Sequence, residues 1–226
     1  MILSIDSSAV TASAALTDGD NVIRSEFVNK GLTHSETLLP MIKRVMGDVA
    51  YSELEAIAIT AGPGSFTGVR IGVATAKGLA FKFSTPCIPV STLEAIAYNF
   101  VNENAVICAV MDARRMQFYN ALFKVENGKI ERLTPDRAIS LEDLQKELRQ
   151  YEDVIIAGDG ARLCADNIGL DNCRIADEES VYQNAVSLAK AAEKNKKIPP
   201  EKLMPVYLRQ SQAERELKLK KKNEGE

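Results

Sequence analysis

The stretch ILSIDSSAVTASAAL, residues 2–16, decides the fold. A short apolar run ends in an acid, Asp6, the chain turns through Ser7 and Ser8, and a second run of small and apolar residues follows. A buried strand that ends in aspartate and turns through small polar residues can present backbone amides and hydroxyls to a phosphate. Its carboxylate can hold a phosphate-bound metal through water. The plainer alternative is that Asp6 satisfies the amides of its own turn.

Working outward, DGDN (18–21) supplies a tight turn and VIRSEFV a third strand. A helix follows, with Thr33-x-x-Glu36 as a capping box and Leu38, Leu39, Ile42, Val45 and Met46 on its apolar face. Pro40 inside it predicts a kink or a late start, because proline removes a helical hydrogen bond. AIAIT (56–60) reads as a central strand covered on both faces. CIPV (87–90) is the next strand, and Ser91-x-x-Glu94 caps a helix to about Phe100. The second half restarts the plan. AVICAVMD (105–112) ends in Asp112, and a meander turns at Asn127-Gly128. Ser140 caps LEDLQKELRQ, DVIIAGDGA is a strand with a glycine turn, and YQNAVSLAKAAEK is a helix. The expected fold class is therefore α/β, with duplicated subdomains of the actin, hexokinase and heat-shock-chaperone (RNase H-like) type, the second reduced. The divisions are 1–103, 104–208 and a charged tail, 209–226. The tail KLKKKNEGE reads as solvated, and the preceding PVYLR docks either on its own core or on a partner.

A nucleotide site of that superfamily needs more than the first hairpin. Asp6, Ser7 and Ser8 stand at its tip, and Asp112 ends the matching strand. There Ala113, Arg114 and Arg115 replace the glycines and threonine that would admit a phosphate, although two arginines can bind an anion differently or pair with acids of a partner. Gly158 and Gly160 keep the glycine turn beside an adenine. These residues are expected to form a vestigial site. The chain requires no cofactor of its own, and ATP or ADP is expected only at a weak or interfacial site. The competing class is an actin-like ATPase or small kinase using Asp6 and Asp112, and it lacks a convincing catalytic base.

AGPGSFTGVRIGVATAKGLAF, residues 61–81, opens like a phosphate loop but lacks the G-x-x-x-x-G-K-[ST] arrangement. It places Gly64, Gly68, Gly72, Ala76 and Ala80 at every fourth position, one ridge of a helix. Glycine inside a helix costs about 1 kcal/mol against alanine, so close backbone approach is the expected reason for Gly68 and Gly72. The row drifts around the helix, so one part can pack on the protein's own sheet while another meets a different chain; alternatively the whole row packs on an internal sheet or on the helix of residues 36–46. Arg70 lies off the row.

Composition narrows the classes. The 226 residues are 46% hydrophobic and 26% charged, as in a globular protein with a real core. A net charge of −3 argues against a general nucleic-acid or membrane binder, which needs surplus Lys and Arg. MILSIDSSAV lacks a basic region before its apolar run, and no run approaches the ~20 apolar residues of a membrane helix. The scattered Cys87, Cys108, Cys164 and Cys173 read as buried reduced thiols of a cytoplasmic protein. His34 is the single histidine, which excludes a metal site built on several imidazoles. No metal is expected.

Taken together, ILSIDSSAVTASAAL, THSETLLPMI, AGPGSFTGVRIGVATAKGLAF, MDARRMQFYNALF and PVYLR closely resemble the bacterial TsaB family, also called YeaZ. The resemblance runs nearly end to end. It implies a non-catalytic dimerisation subunit of the machinery that makes threonylcarbamoyladenosine next to the tRNA anticodon. It implies as partners the catalytic paralogue TsaD and the P-loop ATPase TsaE, a homodimer when alone, and tRNA contact only through the complex. It places a helical interface at Leu38, Leu39, Ile42, Gly68, Arg70, Gly72 and Ala76. An older label of the family as a glycoprotease finds neither paired histidines nor a nucleophile set up for peptide cleavage here.

Overall fold

Two sheets of one design make up the chain, whose computed structural model describes residues 1–29, 31 and 33–209. In the first half, β1 (Ile2–Asp6), β2 (Ala12–Asp18) and β3 (Asn21–Val28) form an antiparallel meander. Beside β1, β4 (Ala56–Gly62) and β5 (Cys87–Ser91) add in parallel, giving the order β3-β2-β1-β4-β5. In the second half, β6 (Ala105–Asp112), β7 (Gln117–Glu126) and β8 (Lys129–Arg132) form the meander, and β9 (Arg137–Ser140) also pairs with β7. There β10 (Val154–Ala157) and β11 (Cys173–Ile175) add in parallel, giving β8-β7-β6-β10-β11. Each sheet thus has its first strand at the centre, the meander on one side and the parallel pair on the other. β1 and β6 both end in the expected aspartate, Asp6 and Asp112.

On one face of the first sheet, α1 (His34–Met46) and α2 (Phe66–Phe81) bury Leu38, Met41, Ile42, Val69, Val73 and Ala76 against Leu3, Ile5, Ile57 and Ile59. The helices of the other face cross between the halves. α3 (Thr92–Ala97), from the first half, sends Leu93 and Ile96 into the second core, beside Val110 and Phe118. α4 (Leu141–Leu148) and α5 (Ala161–Ile168) complete that core with Leu144, Leu148, Cys164 and Ile168. α6 (Ala185–Ala192), from the second half, returns to the first sheet and packs Leu188 and Ala191 on Ala58 and Val90. A division at 103/104 therefore separates the sheets but cuts through their packing.

Several local expectations change. Thr33 precedes α1 without a side-chain cap, so the capping box does not form, and the helix starts at His34 and continues unbroken past Pro40. Ser91 and Ser140 do cap, accepting from Glu94 N at 3.3 Å and Asp143 N at 3.1 Å. PVYLR lies along its own chain: Leu203 just before it is fully buried, Val206 N donates to Ala61 O at 2.7 Å, and Arg209 Nη1 donates to Ala113 O at 2.8 Å. The expected tail lies, from residue 210 on, outside the described residues. All four cysteines are free; burial pushes the Cys87 thiol up to about 11 and the Cys164 thiol up to about 12.

The glycine row divides differently from its spacing. Gly64 precedes α2, and a Cβ on Gly68 would lie 2.1 Å from Ser7 O. A Cβ on Gly72 would lie 2.5 Å from Ser7 Oγ and 3.0 Å from Ile59 Cδ1. The row faces the first hairpin and β4, whereas Gly78, exposed inside the same helix, has nothing within 4 Å of its missing Cβ. Gly68→Ala is expected to destabilise the fold by about 2–3 kcal/mol, as overpacking against backbone does. Gly78→Ala should stabilise it by up to about 1 kcal/mol through helix propensity. Thermal denaturation of the two variants checks both signs.

Candidate functional site

Asp6 lies at the end of β1, fully buried. Its Oδ1 accepts from Ser8 Oγ and Thr60 Oγ1, both at 2.6 Å, and from Ser8 N at 3.3 Å. Burial raises its carboxyl above the ordinary aspartate value, while the bonds from Ser8 and Thr60 pull the other way. Ser7 Oγ donates to Gly68 O at 2.9 Å, which ties the hairpin to α2. Gln183 Nε2 donates to Ser8 Oγ at 3.4 Å from the segment before α6. Asp6 Oδ1, Ser7 and Ser8 are thus engaged inside the fold, while Asp6 Oδ2 is buried with no hydrogen-bond partner among the described residues. The outward tip of the hairpin is Val10, 55% exposed, while Ala9 beside it is buried in the second core. His34 Nε2–H donates to Ala9 O at 2.6 Å, so the histidine is a clasp between α1 and the hairpin.

A cleft of about 650 Å³ opens between the halves. Ala9, Val10 and the Pro63–Thr67 segment line one wall; Asp112, Ala113, Arg114, Tyr119 and Asp159 line the other. Val206–Arg209 crosses between them. Of the expected nucleotide residues, only Asp112 reaches this cleft. Gly158 and Gly160 serve packing instead: Cβ atoms there would lie 2.0 Å from Val110 O and 2.9 Å from Asp112 N. The Asp112 turn also differs from a phosphate hairpin. Arg114, Arg115 and Met116 take φ of 67°, 58° and 53°, a region that costs non-glycine residues roughly 1–2 kcal/mol each. The turn is held by Arg114 N to Asp112 Oδ1 at 2.7 Å and Arg209 Nη1 to Ala113 O at 2.8 Å. Beside it, Asp159 Oδ1 accepts from Asp112 N at 3.3 Å. Burial pushes Asp159 up to about 7, with the Asp112 and Asp6 carboxylates adding to the rise. Among the described residues no group of three or more His, Cys, Asp or Glu is placed to hold a metal ion.

The expected interface residues separate by burial. Leu38, Ile42, Gly68, Gly72 and Ala76 belong to the first core, where another chain cannot touch them. Leu39, 52% exposed, and Arg70 lie on the surface. The outward face of α2 adds Ala74, Gly78 and Phe81, with Phe81 75% exposed. Sequence spacing found the inner row because it is the longer repeat. The outer residues carried a weaker signal, one helix-interior glycine off that row.

Duplicated sheets, a central strand ending in aspartate in each half and crossed helices define an actin-like α/β protein. The family model described as TsaD, tRNA N6-adenosine threonylcarbamoyltransferase, matches residues 30–217. A tRNA threonylcarbamoyladenosine biosynthesis protein TsaB from Bacillus subtilis is 37% identical, covering 67% of each chain. Its namesake from Escherichia coli is 29% identical, covering 96% of this chain and 97% of that one. A Pseudomonas aeruginosa crystal structure, described as similar to peptidase YeaZ, superposes with a TM-score of 0.79 at 26% identity, covering 92% of this chain and 99% of that one. The chain belongs to the TsaB (YeaZ) family, and its role is in tRNA threonylcarbamoyladenosine biosynthesis.

The raised carboxyl of Asp159 has a thermodynamic consequence. Its ordinary value is 3.8, so the folded state binds the extra proton, and stability falls as pH rises from near 4 to about 7. Asp159→Asn keeps an acceptor for Asp112 N and removes that loss. The variant should melt above wild type at pH 8, and the difference should close toward pH 4. Melting curves across this range check it.

Proposed function

We propose that this chain is a non-catalytic scaffold subunit that docks the TsaD-like threonylcarbamoyltransferase and supports it in the tRNA-modifying complex. The observation that carries this reading is the outward face of α2. Gly78 has no internal neighbour that requires glycine, yet it sits in mid-helix, flanked by exposed Ala74 and Phe81. A groove between small residues beside an exposed aromatic ring suits a helix of another chain, where close approach repays the propensity lost. Arg70 extends the same face of α2, and Leu39 is exposed on the neighbouring α1. A second copy occupies it when the transferase is absent.

The absence of catalysis is part of the proposal. Asp6 is enclosed by Ser8 and Thr60, and Gly158 and Gly160 are filled by neighbouring backbone. One histidine leaves no imidazole pair to hold a metal ion. The family's older peptidase label has no nucleophile here to rest on. The chain needs no cofactor of its own, and ATP or ADP binds weakly, at a site completed by a partner. The TsaE-like ATPase joins through the complex, and tRNA is contacted only there. No helix among the described residues is long and apolar enough to cross a membrane; a cytoplasmic location follows from the role in tRNA modification.

Gly78→Leu separates docking from folding. The variant should melt at or above the wild-type temperature and lose association with the cognate transferase in sedimentation velocity. A folded Gly78→Leu that still forms the heterocomplex would contradict the assignment of this surface. Magnesium-dependent ATP turnover by the chain alone would restore the actin-like ATPase alternative.

A further inference from the structure

Arg70 is exposed on α2, yet its side chain is held in one place. Its guanidinium lies 3.7 Å over the Phe66 ring and 5.7 Å from the centre of the Tyr207 ring. Its Nε donates to Tyr207 Oη at 2.8 Å, and the two rings pack at 4.9 Å. Tyr207 is itself fixed, because residues 203–209 form a strap tied at three points. Leu203 is buried in the first core, Val206 N bonds Ala61 O, and Arg209 Nη1 bonds Ala113 O across the cleft. Gly62, at φ +121°, lets the strap sit, since a Cβ there would lie 2.3 Å from Val206 O.

Ordering a long side chain at the surface costs rotamer entropy, and among the described residues no ion pair of Arg70 offsets it. The arginines that pair with acids among the described residues are Arg44, Arg114, Arg132, Arg137 and Arg174. With Nε on Tyr207 and one face on Phe66, the terminal nitrogens of Arg70 remain as a planar fork. Such a fork matches a carboxylate through two parallel bonds. A phosphate would fit the fork too, but the neighbouring surface is the apolar strip of Ala74, Gly78 and Phe81, which a nucleic-acid backbone would leave uncovered. Preorganised arginine and tyrosine beside an apolar strip is the composition of an interface anchor.

We infer that Arg70, oriented by Phe66 and Tyr207, takes a carboxylate side chain of the protein that docks on α2. Tyr207 and the strap are positioning residues for that contact. The inference rests on the docking role proposed above and names the chemistry that the partner must present.

Two measurements test it. The first is calorimetric titration of the cognate transferase into wild type, Arg70→Lys and Tyr207→Phe, with thermal melts confirming that all three fold. Arg70→Lys keeps the charge and loses the fork, so binding should weaken about tenfold, the loss expected of one charge-assisted hydrogen bond. Tyr207→Phe keeps the ring and frees Nε, and should weaken binding about threefold through lost preorganisation. The second needs no partner: the Nε–H signal of Arg70 in nuclear magnetic resonance should be resolved in wild type and averaged with solvent in Tyr207→Phe. Wild-type affinity in Arg70→Lys, with wild type binding normally, overturns the anchor and leaves the docking role standing. An Arg70 signal already averaged in wild type overturns the positioning by Tyr207. A shift of that signal on adding inorganic pyrophosphate alone replaces the carboxylate by a phosphate ligand. Failure of wild type itself to bind the transferase removes the docking role and this inference with it.

Discussion

The contact between Ser7 and the first turns of α2 is the constraint from which the rest of the first half follows. Ser7 Oγ donates to Gly68 O, and Ser7 O occupies the space of a Gly68 side chain. Backbone packed on backbone at that distance fixes where α2 starts and which face turns inward. It also sets the height of the hairpin against β4, so that Thr60 reaches Asp6. The clasp from His34 to Ala9 secures the same hairpin from α1. The side chains of Ser7 and Ser8 and one oxygen of Asp6 are thus engaged by the protein's own chain, while Ala9 and Val10 line the cleft.

The second constraint is the exchange of helices. α3 fills the second core and α6 the first, so neither half buries its apolar surface without the other. The strap adds a surface link, from Leu203 in the first core to Arg209 on the Asp112 turn. The cleft between the halves therefore has walls set by shared packing. Its acids sit close together in partial burial, and Asp159 answers by holding its proton toward neutral pH. Ala74, Gly78 and Phe81 lie on the opposite side of α2 from Ser7 and take no part in these constraints, whereas Arg70 on the same face is tied to the strap through Tyr207.

Much of the architecture was legible in the sequence because it depends on local signals. Strands ending in Asp6 and Asp112, the turn at Asn127-Gly128 and the caps at Ser91 and Ser140 each declare themselves within a few residues. What was illegible depends on contacts distant in the chain. Nothing within ILSIDSSAV says that Gln183 will cover Ser8, and nothing in the glycine spacing says which row faces inward. Leu38 and Ile42 carry the same apolar signal whether they meet a sheet or a partner; only burial separates them from Leu39. β9, β11 and α5 escaped because RAIS and CRI hold no apolar run and α5 begins after Gly160 without a side-chain cap.

The central claim is that this chain works through the outward face of α2 and not through its hairpin or cleft. Amide hydrogen exchange of the chain, alone and with the cognate transferase, tests it most directly. The account predicts added protection across α1 and residues 66–82, with exchange at residues 6–16 unchanged. Protection confined to the cleft walls, with α1 and α2 exchanging as in the free chain, would contradict it.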